Sequence, residues 1–321
     1  MSNHKLRVYD KVVDLIASPE NPTPLVRVRN FELSDKFKLY LKLEWFNPFG
    51  SIKDRTAFYL LKGLQEKGKL KGKELVEPTS GNTGIALTAI ANMLGVRTTI
   101  TIPSAVPEEN KTLLRLLGAE VWPTPDDLCP IEHPKDGAIA LAKSMVEGEA
   151  YEGKYVMPNQ YENPDNVKAH YETTGPEIWN QTEGKVTHFF AGYGTCGTIT
   201  GTAKFLKEKN RDIKVIAIEP MKNHKLAGLK SFAEANVPII LDRSFIDETI
   251  IVSDEDAYNT AIKLARKESL LVGPSTGAIV YAALKYAEGK EGIAAAISPD
   301  NAFKYTSFFN EWVKNDGVPN V

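Results

Sequence analysis

Short β-rich runs alternate with amphipathic helical windows along the 321-residue chain. This alternation is typical of an α/β protein in which helices cover a mostly parallel sheet. Strands are predicted at 38–44, 74–77, 97–102, 185–191, 214–219 and 292–297. Helices are predicted at 54–67, 82–94, 107–117, 136–147, 166–182, 198–209, 254–268 and 276–288.

Length and composition narrow the class of protein. A chain of this length is expected to form about two domains, each with its own apolar core. Hydrophobic residues make up 42% and charged residues 25%, as in ordinary soluble proteins. The formal charge of −2 shows no excess of positive charge that would attract nucleic acid or an anionic membrane. No apolar run approaches the roughly 20 residues that span a bilayer. Nucleic acid and membranes are therefore not expected as partners, and a cleft between the two packed domains is the expected place for a small-molecule ligand.

Cysteine usage points to a reducing compartment. Cys129 and Cys196 are the two cysteines, and their separation fits neither a metal knuckle nor a disulfide framework. Residues 1–16 lack the apolar core of a signal peptide, so a cytoplasmic location is expected. The five histidines are scattered, and no metal site is predicted. Residues 124–134 form a predicted surface loop around Cys129.

Two segments rich in glycine and hydroxyl residues follow predicted strands and open predicted helices. The first is Gly-Tyr-Gly-Thr-Cys-Gly-Thr at 192–198. Its glycines let a backbone approach a phosphate closely, although it is neither a Walker loop nor a dinucleotide fingerprint. The second is Thr-Ser-Gly-Asn-Thr-Gly at 79–84, which suits a carboxylate at a helix N-terminus. The structural alternatives are a plain glycine turn and an elaborate N-cap.

Lys53 is predicted at the very start of a helix, immediately after a turn. The positive end of the helix dipole lowers the pKa of such a lysine and favours the neutral amine that a Schiff base requires. A solvated lysine is the alternative, and the neighbouring Asp54 and Arg55 are expected to cap and to pair. Gly-Pro-Ser-Thr-Gly at 273–277 again follows a β-like run, and an ordinary N-cap is its alternative.

In this order, the four segments resemble the pyridoxal-phosphate-dependent enzymes of the cysteine synthase and cystathionine β-synthase family, the fold-type II group. Further matching segments lie at 21–27, 41–44, 160–164 and 170–179. The resemblance covers nearly the whole chain. It implies two doubly wound α/β domains of the tryptophan synthase β-like kind, namely a large cofactor domain (1–45 and 153–321) and a smaller mobile substrate domain (46–152).

The resemblance also implies a role for individual residues. Lys53 would hold pyridoxal 5'-phosphate, the only cofactor expected, as a Schiff base. Asn82 would bond the 3'-oxygen of the cofactor, and Ser275 would face its ring nitrogen. The phosphate would be bound by Gly194, Thr195, Cys196, Gly197 and Thr198. The substrate carboxylate would be bound by Thr79, Ser80, Asn82, Thr83 and Gln160.

A neutral serine beside the ring nitrogen makes the cofactor a weaker electron sink, which favours β-elimination and β-replacement over transamination. Lys53 would remove the α-proton as general base. The expected reaction makes L-cysteine from O-acetylserine or O-phosphoserine and a sulfide donor, through an aminoacrylate. The alternatives are cystathionine β-synthase, a cysteine β-lyase that releases sulfide, and an inactive binding scaffold.

Residues 228–232 and 237–238 resemble the cysteine synthases that accept O-phosphoserine or a thiocarboxylated carrier protein. Lys230 would then meet the substrate phosphate as a point charge, with a solvated lysine as the alternative. The family further implies a homodimer, and either serine acetyltransferase or a small sulfur-carrier protein as a partner.

Three departures from the family pattern are visible. Cys196 replaces a glycine, so its backbone is expected to be αR-like or the loop adjusted, because a Cβ is unfavourable at positive φ. Its thiol is expected to be either redox-sensitive with a low pKa or packed and inert. Tyr193 replaces a small residue and is expected to narrow the cleft. Residues 299–305 replace the usual acidic-serine-glycine segment, which leaves the contacts of that serine open.

Overall fold

The computed structural model describes residues 8–79, 81–125 and 136–315. Its strands are β1 (Leu25–Arg27), β2 (Phe37–Leu43), β3 (Glu74–Pro78), β4 (Thr98–Pro103), β5 (Glu120–Thr124), β6 (Tyr155–Val156), β7 (His188–Gly192), β8 (Lys214–Pro220), β9 (Glu248–Val252) and β10 (Gly292–Ser298). Its helices are α1 (Lys53–Glu66), α2 (Asn82–Met93), α3 (Glu108–Leu116), α4 (Gly137–Glu147), α5 (Asp165–Ala169), α6 (Gly175–Gln181), α7 (Gly197–Lys209), α8 (Asp254–Glu268), α9 (Pro274–Tyr286) and α10 (Thr306–Asn315).

The strands form two sheets. The larger sheet has the order β1-β2-β10-β7-β8-β9, and the smaller has the order β5-β4-β3-β6. Every neighbouring pair is parallel except β1 with β2. Parallel strands need crossover connections, and the helices between the strands supply them. The α/β class predicted from the alternating pattern is confirmed.

Helices cover both faces of the larger sheet, as the alternation of side chains along β10 shows. Ala294 and Ala296 pack into an apolar cluster with α8 and α9, whereas Ala295 and Ile297 pack into a second cluster with α6 and α7. Successive strand residues point to opposite faces, so a continuous apolar run such as β10 needs cover on both sides. The smaller sheet is covered in the same way by α1 and α2 on one face and α4 on the other.

Each predicted strand and helix is present, with ends shifted by a few residues. The predicted helix at 166–182 is interrupted by a π-helical segment at His170–Thr174. Pro176 explains the interruption, because it has no N–H to donate to the carbonyl of Glu172. Four edge strands and α10 were not predicted. Trp312 of α10 stacks on Tyr258 of α8 at a ring separation of 4.8 Å.

The position of β6 bears on the expected domain boundaries. Tyr155 and Val156 pair with β3 of the smaller sheet, although residues from 153 onward were assigned to the large domain. The chain therefore returns to the larger sheet only after β6. The division into a large and a smaller domain stays a prediction.

A fully buried ionic cluster joins β2, α1 and α6. Arg55 donates to Glu44 at 2.7 Å and binds both carboxylate oxygens of Glu177, one of them at 2.8 Å. Lys42 donates to the same Glu177 carboxylate at 2.6 Å. All four side chains are 0% exposed. The cluster balances two cations with two anions, and it fixes the start of α1 two residues after Lys53.

Glu177→Gln is expected to lower the free energy of unfolding by about 3 kcal/mol, because it leaves two buried cations with one carboxylate. Urea denaturation at a fixed cofactor concentration measures the change. Glu183→Gln is the matched control, since Glu183 is exposed and pairs with the exposed Lys185. Equal stability of the two variants would contradict the structural role of the cluster.

Candidate active site

The expected functional residues gather at the carboxyl ends of β3, β7 and β10, where open parallel sheets leave a crevice. A cavity of about 340 Å³ lies there. The expected residues that line it are Lys53, Thr79, Asn82, Thr83, Gln160, Gly194, Thr195, Cys196, Thr198, Lys230 and Ser275. Gly197 instead faces Asn166, whose Oδ1 lies 2.0 Å from the position of a Cβ on this glycine. Ser80 lies outside the described residues.

Lys53 is the first residue of α1, and a tight loop leads into it. Asp54 holds this loop, because its Oδ2 accepts the N–H of Phe49 at 2.6 Å. The N–H of Ile52 donates to the carbonyl of Pro299 at 2.9 Å. The pairing of Arg55 that is expected from the sequence is present. The expected capping by Asp54 is wrong, because its side chain accepts from Phe49 in the preceding loop and from no N–H of α1 within the described residues.

The ammonium of Lys53 makes no hydrogen bond or ion pair with the part of the chain that the structure describes. Burial lowers the pKa of Lys53, and the negative charge of Asp300 acts against this shift. The helix position of Lys53 predicts a lowered pKa from the dipole, and burial is the cause that the structure shows. Either way, Lys53 supplies an amine that is neutral more often than a solvated lysine.

The segment that opens α2 presents hydroxyls and backbone donors. Gly81 has a φ of 135°, which side chains rarely adopt, and its N–H donates to Thr79 Oγ1 at 3.1 Å. The Thr83 hydroxyl donates to Gln160 Oε1 at 2.6 Å, and Gln160 Nε2 donates to the carbonyl of Pro78 at 2.9 Å. Thr83 and Gln160, two of the expected substrate-binding residues, are thus hydrogen-bonded to each other. The first N–H groups of α2 have no partner within the helix and remain as donors.

Glu77 of β3 binds the backbone at Gln160. Its two carboxylate oxygens accept the backbone N–H groups of Asn159 at 2.8 Å and Gln160 at 3.0 Å. Glu77 is fully buried, and burial raises its pKa to about 7. It was not singled out from the sequence, because a single acidic residue in an apolar strand gives no signal of its distant partners.

Residues 194–196 form the turn between β7 and α7. Within the described chain their N–H groups make no backbone hydrogen bond, and the first N–H groups of α7 have no intrahelical partner. Asn166 Nδ2 donates to Thr195 Oγ1 at 3.0 Å. The Thr198 hydroxyl lies 3.2 Å from His170 Nε2. Unpaired donors at a helix N-terminus suit an anion such as phosphate.

Asn166 and His170 are buried supports that were not assigned roles from the sequence. Asn166 Nδ2 also donates to the carbonyl of Gln160 at 2.8 Å, so one amide contacts both expected subsites. His170 Nε2 also lies 3.2 Å from Thr56 Oγ1, and burial holds the pKa of this ring well below its usual range. The ring is therefore neutral. The sequence does contain one signal for His170, because this residue is the first of a segment that resembles the family.

Lys230 and Tyr193 lie on two neighbouring loops, which are joined by the hydrogen bond from the Lys230 N–H to the Tyr193 carbonyl at 2.8 Å. Lys230 lines the cavity, where its Nζ is 5.1 Å from the centre of the Tyr161 ring and has no ion pair among the described residues. Tyr193 packs into the core, with its hydroxyl 3.1 Å from Thr249 Oγ1 and its ring 4.7 Å from that of Phe232. The expectation that Tyr193 narrows the cleft is wrong, because its side chain does not line the cavity.

The model of the pyridoxal-phosphate dependent enzyme family matches residues 16–297 of the chain. The chain belongs to this family. A cysteine synthase from Aquifex aeolicus is 40% identical over 315 residues, which cover 94% of each chain. The structure of a cysteine synthase from Entamoeba histolytica superimposes with a TM-score of 0.87 at 33% identity, covering 99% of this chain and 95% of that one. A hydrogen sulfide-producing enzyme from Fusobacterium nucleatum gives a TM-score of 0.84 at 34% identity, covering 93% and 100%.

These relatives place the chain among the cysteine synthases of the family, and they confirm the fold-type II architecture and the pyridoxal-phosphate cofactor. The residues of the cavity fit this cofactor. Lys53 offers an unpaired amine, and the turn at 194–196 offers unpaired N–H donors. The buried hydroxyl of Ser275 lines the cavity and makes no hydrogen bond to any described residue. An amine, an anion site and a free hydroxyl are the groups that the cofactor needs.

Cys196 keeps a strained backbone in this cysteine synthase. Its φ of 68° and ψ of −1° are left-handed, so the expected αR-like alternative is wrong. Its side chain is 3% exposed and packs with Ile52 and Ala191. A buried apolar contact is thus present at a residue whose backbone conformation is unfavourable for any side chain with a Cβ. Burial raises the pKa of the Cys196 thiol to about 12, which favours the inert, packed alternative.

The segment 299–305 that departs from the family pattern makes close contacts with Asn82. Asp300 Oδ2 accepts from Asn82 Nδ2 at 2.6 Å and from the Tyr305 hydroxyl at 2.5 Å. This segment therefore binds Asn82 directly through a carboxylate and a phenol hydroxyl.

Neither a membrane span nor a metal site is found in the described residues. None of the described helices is long and apolar enough to cross a membrane. No cluster of three or more His, Cys, Asp or Glu residues within them could hold a metal ion. Cys129 and most of the predicted loop around it lie outside the described residues.

In a Cys129→Ala variant, Cys196 is expected to resist iodoacetamide at pH 8. The reactive species is the thiolate, and a pKa of about 12 leaves on the order of one thiol in 10⁴ ionised at that pH. Mass spectrometry of the native enzyme measures the labelling, and the urea-unfolded chain is the control that must react. Rapid labelling of the native enzyme would show that Cys196 is the redox-sensitive thiol instead.

Proposed function

We propose that the enzyme makes L-cysteine by exchanging the β-substituent of an activated L-serine for a sulfide donor. The observation that carries this proposal is the unpaired amine of Lys53 in a cavity flanked by backbone donors at two helix starts. Pyridoxal phosphate, when bound, supplies an electron sink that acidifies the α-proton of an amino acid. The curated relatives favour cysteine synthesis over the cystathionine and sulfide-releasing alternatives.

The cofactor-binding roles follow the expectations from the sequence. Lys53 holds the cofactor, Asn82 bonds its 3'-oxygen and Ser275 faces its ring nitrogen. The phosphate binds at Gly194, Thr195, Cys196, Gly197 and Thr198. The unpaired backbone N–H groups of this turn would bind the phosphate whatever the side chain, so Cys196 is compatible with this role.

Lys53 Nζ takes the α-proton of the substrate and returns one at the end of the cycle. A base must be neutral to accept a proton, and burial lowers the pKa of Lys53 in that direction. Asp300 opposes the shift, so the balance between burial and this carboxylate sets the fraction of neutral amine.

The substrate α-carboxylate binds at the start of α2. Thr79, Asn82 and Thr83 lie beside these free N–H groups, whose partial positive charge favours an anion. Ser80, which lies outside the described residues, stays a predicted ligand of the same carboxylate. Gln160 contributes by holding the Thr83 hydroxyl at 2.6 Å. Glu77 in turn fixes the backbone of Gln160.

Lys230 meets the leaving group of O-phospho-L-serine. It is a half-buried cation on the cavity wall with no ion pair among the described residues. A phosphate dianion gains more from such a cation than a neutral acetyl ester does. The substrate proposed for this enzyme is therefore O-phospho-L-serine ahead of O-acetyl-L-serine.

The enzyme is further proposed to act as a cytoplasmic homodimer. The low number of cysteines supports the compartment. The family membership supports the homodimer. A protein partner, either serine acetyltransferase or a small sulfur-carrier protein, would reach the cavity with a chain end whose carboxylate matches the donors at the start of α2.

The holoenzyme is expected to show a visible absorption band that Lys53→Ala abolishes, because this lysine holds the cofactor. Absorption spectra of the two purified proteins with added pyridoxal phosphate measure this. Lys62→Ala, on the exposed face of α1, is the control that keeps the band. A wild-type protein that stays colourless would overturn the enzyme proposal.

Lys230→Gln is expected to raise the KM for O-phospho-L-serine about tenfold and to leave the KM for O-acetyl-L-serine unchanged, because only the phosphate loses a charged contact. Steady-state kinetics with both esters measures the difference. Lys222→Gln, an exposed lysine upstream of the same loop, is the control. Equal effects on both esters would remove Lys230 from leaving-group recognition.

Glu77→Gln is expected to raise the KM for the serine ester about tenfold with little change in the absorption of the bound cofactor. The amide oxygen can accept only one of the two N–H groups of Asn159 and Gln160, and its NH₂ group faces the other. Glu74→Gln, on the same strand but partly exposed, is the control. An altered cofactor spectrum with unchanged KM would place Glu77 in cofactor binding instead.

A further inference from the structure

Lys304 is a buried lysine in the segment that follows β10. It is 7% exposed, and its Nζ donates to Asn82 Oδ1 at 2.8 Å and to the carbonyls of Phe49 and Gly50 at 3.1 and 3.2 Å. An ammonium has three N–H donors and no acceptor, so these three contacts use all of its hydrogens. The lysine thus joins the loop before Lys53 to the start of α2.

These contacts fix the orientation of the Asn82 amide. Because Lys304 can only donate, the acceptor Oδ1 must face it, and Nδ2 must face the opposite side. There Nδ2 donates to Asp300 Oδ2 at 2.6 Å and to the Tyr305 hydroxyl at 3.2 Å. A flipped amide would place NH₂ against the ammonium and oxygen against the carboxylate, two repulsions in a buried site.

We propose that Lys304 is a positioning residue that, together with Asp300, turns the Nδ2 donor of Asn82 toward the 3'-oxygen of the cofactor. This inference rests on the role proposed above for Asn82. The 3.2 Å bond to Tyr305 is the longer of the two that Nδ2 makes, and it is the bond that the cofactor oxygen would replace. Asp300 keeps the shorter bond and holds the amide in place.

The same lysine fixes the spacing between the two cofactor contacts. Phe49 and Gly50 precede Lys53 by four and three residues, and their carbonyls bind the ammonium that also binds Asn82. Asp300 and Asp54 are the charged groups that face Lys304, and both act against the lowering of its pKa by burial. Two carboxyl groups from different parts of the chain, one in α1 and one in the segment after β10, therefore favour the charged form of Lys304.

A double-mutant cycle on the holoenzyme tests the inference through the pH dependence of its visible absorption. Losing a donor to the 3'-oxygen disfavours the charged form of that oxygen, so Asn82→Ala and Lys304→Met are each expected to raise the titration midpoint by about one pH unit. In the Asn82→Ala background, Lys304→Met is expected to add no further shift. Lys36→Met, an exposed lysine paired with Glu291, is the control that leaves the midpoint unchanged.

Lys304→Gln separates positioning from simple loss of charge and replaces Lys304→Met if that variant does not fold. Its amide can still donate to Asn82 Oδ1, so the midpoint is expected to stay near that of the wild type. A shift that persists in the Asn82→Ala background, or that is as large in Lys304→Gln as in Lys304→Met, would overturn the inference and leave the proposed function standing. No shift in Asn82→Ala alone would overturn the proposed role of Asn82 itself.

Discussion

The buried pairing of Arg55 with Glu44 and Glu177 is the constraint on which the site depends. Arg55 belongs to α1, which packs on the smaller sheet, whereas Glu44 follows β2 of the larger sheet and Glu177 belongs to α6. Charges withdrawn from water are stable only while all of them remain paired. The cluster therefore permits one placement of the start of α1, and Lys53 lies two residues before the arginine. An apolar contact of the same size would fix this position less strictly, since it has no directional partner.

From that fixed point, the site is completed by elements that converge on the carboxyl ends of the strands. The turn after β7 provides donors, the start of α9 provides Ser275, and the start of α2 provides Asn82. Their supports come from far along the chain: Lys304 binds Asn82 across 222 residues, and Asn166 binds Thr195 across 29. Because the polar groups hold one another before a ligand arrives, little reorganisation remains to be made when it binds.

The sequence predicted the central strands and missed the edges, for a physical reason. All four unpredicted strands, β1, β5, β6 and β9, are edge strands of the two sheets. The three residues of β1 are only half-buried, and β9 is largely exposed. Such strands lack the apolar runs that mark a strand covered on both faces. The site shows the same division. Lys53 and the glycine turns are local motifs at strand–helix junctions, whereas Glu77 and Lys304 gain their roles from distant contacts that no local pattern carries.

The contacts between the two sheets differ in how readily they can be exchanged. The 3.2 Å hydrogen bond from Asn82 Nδ2 to the Tyr305 hydroxyl lies on the wall of the cavity, where water or a ligand can replace the acceptor at little net cost. Neither water nor a ligand can reach the fully buried Arg55 cluster. Opening this cluster would leave unpaired charges in a dry interior. A ligand that enters the cavity would therefore exchange this one acceptor of Asn82, while the start of α1, and Lys53 with it, stays in place.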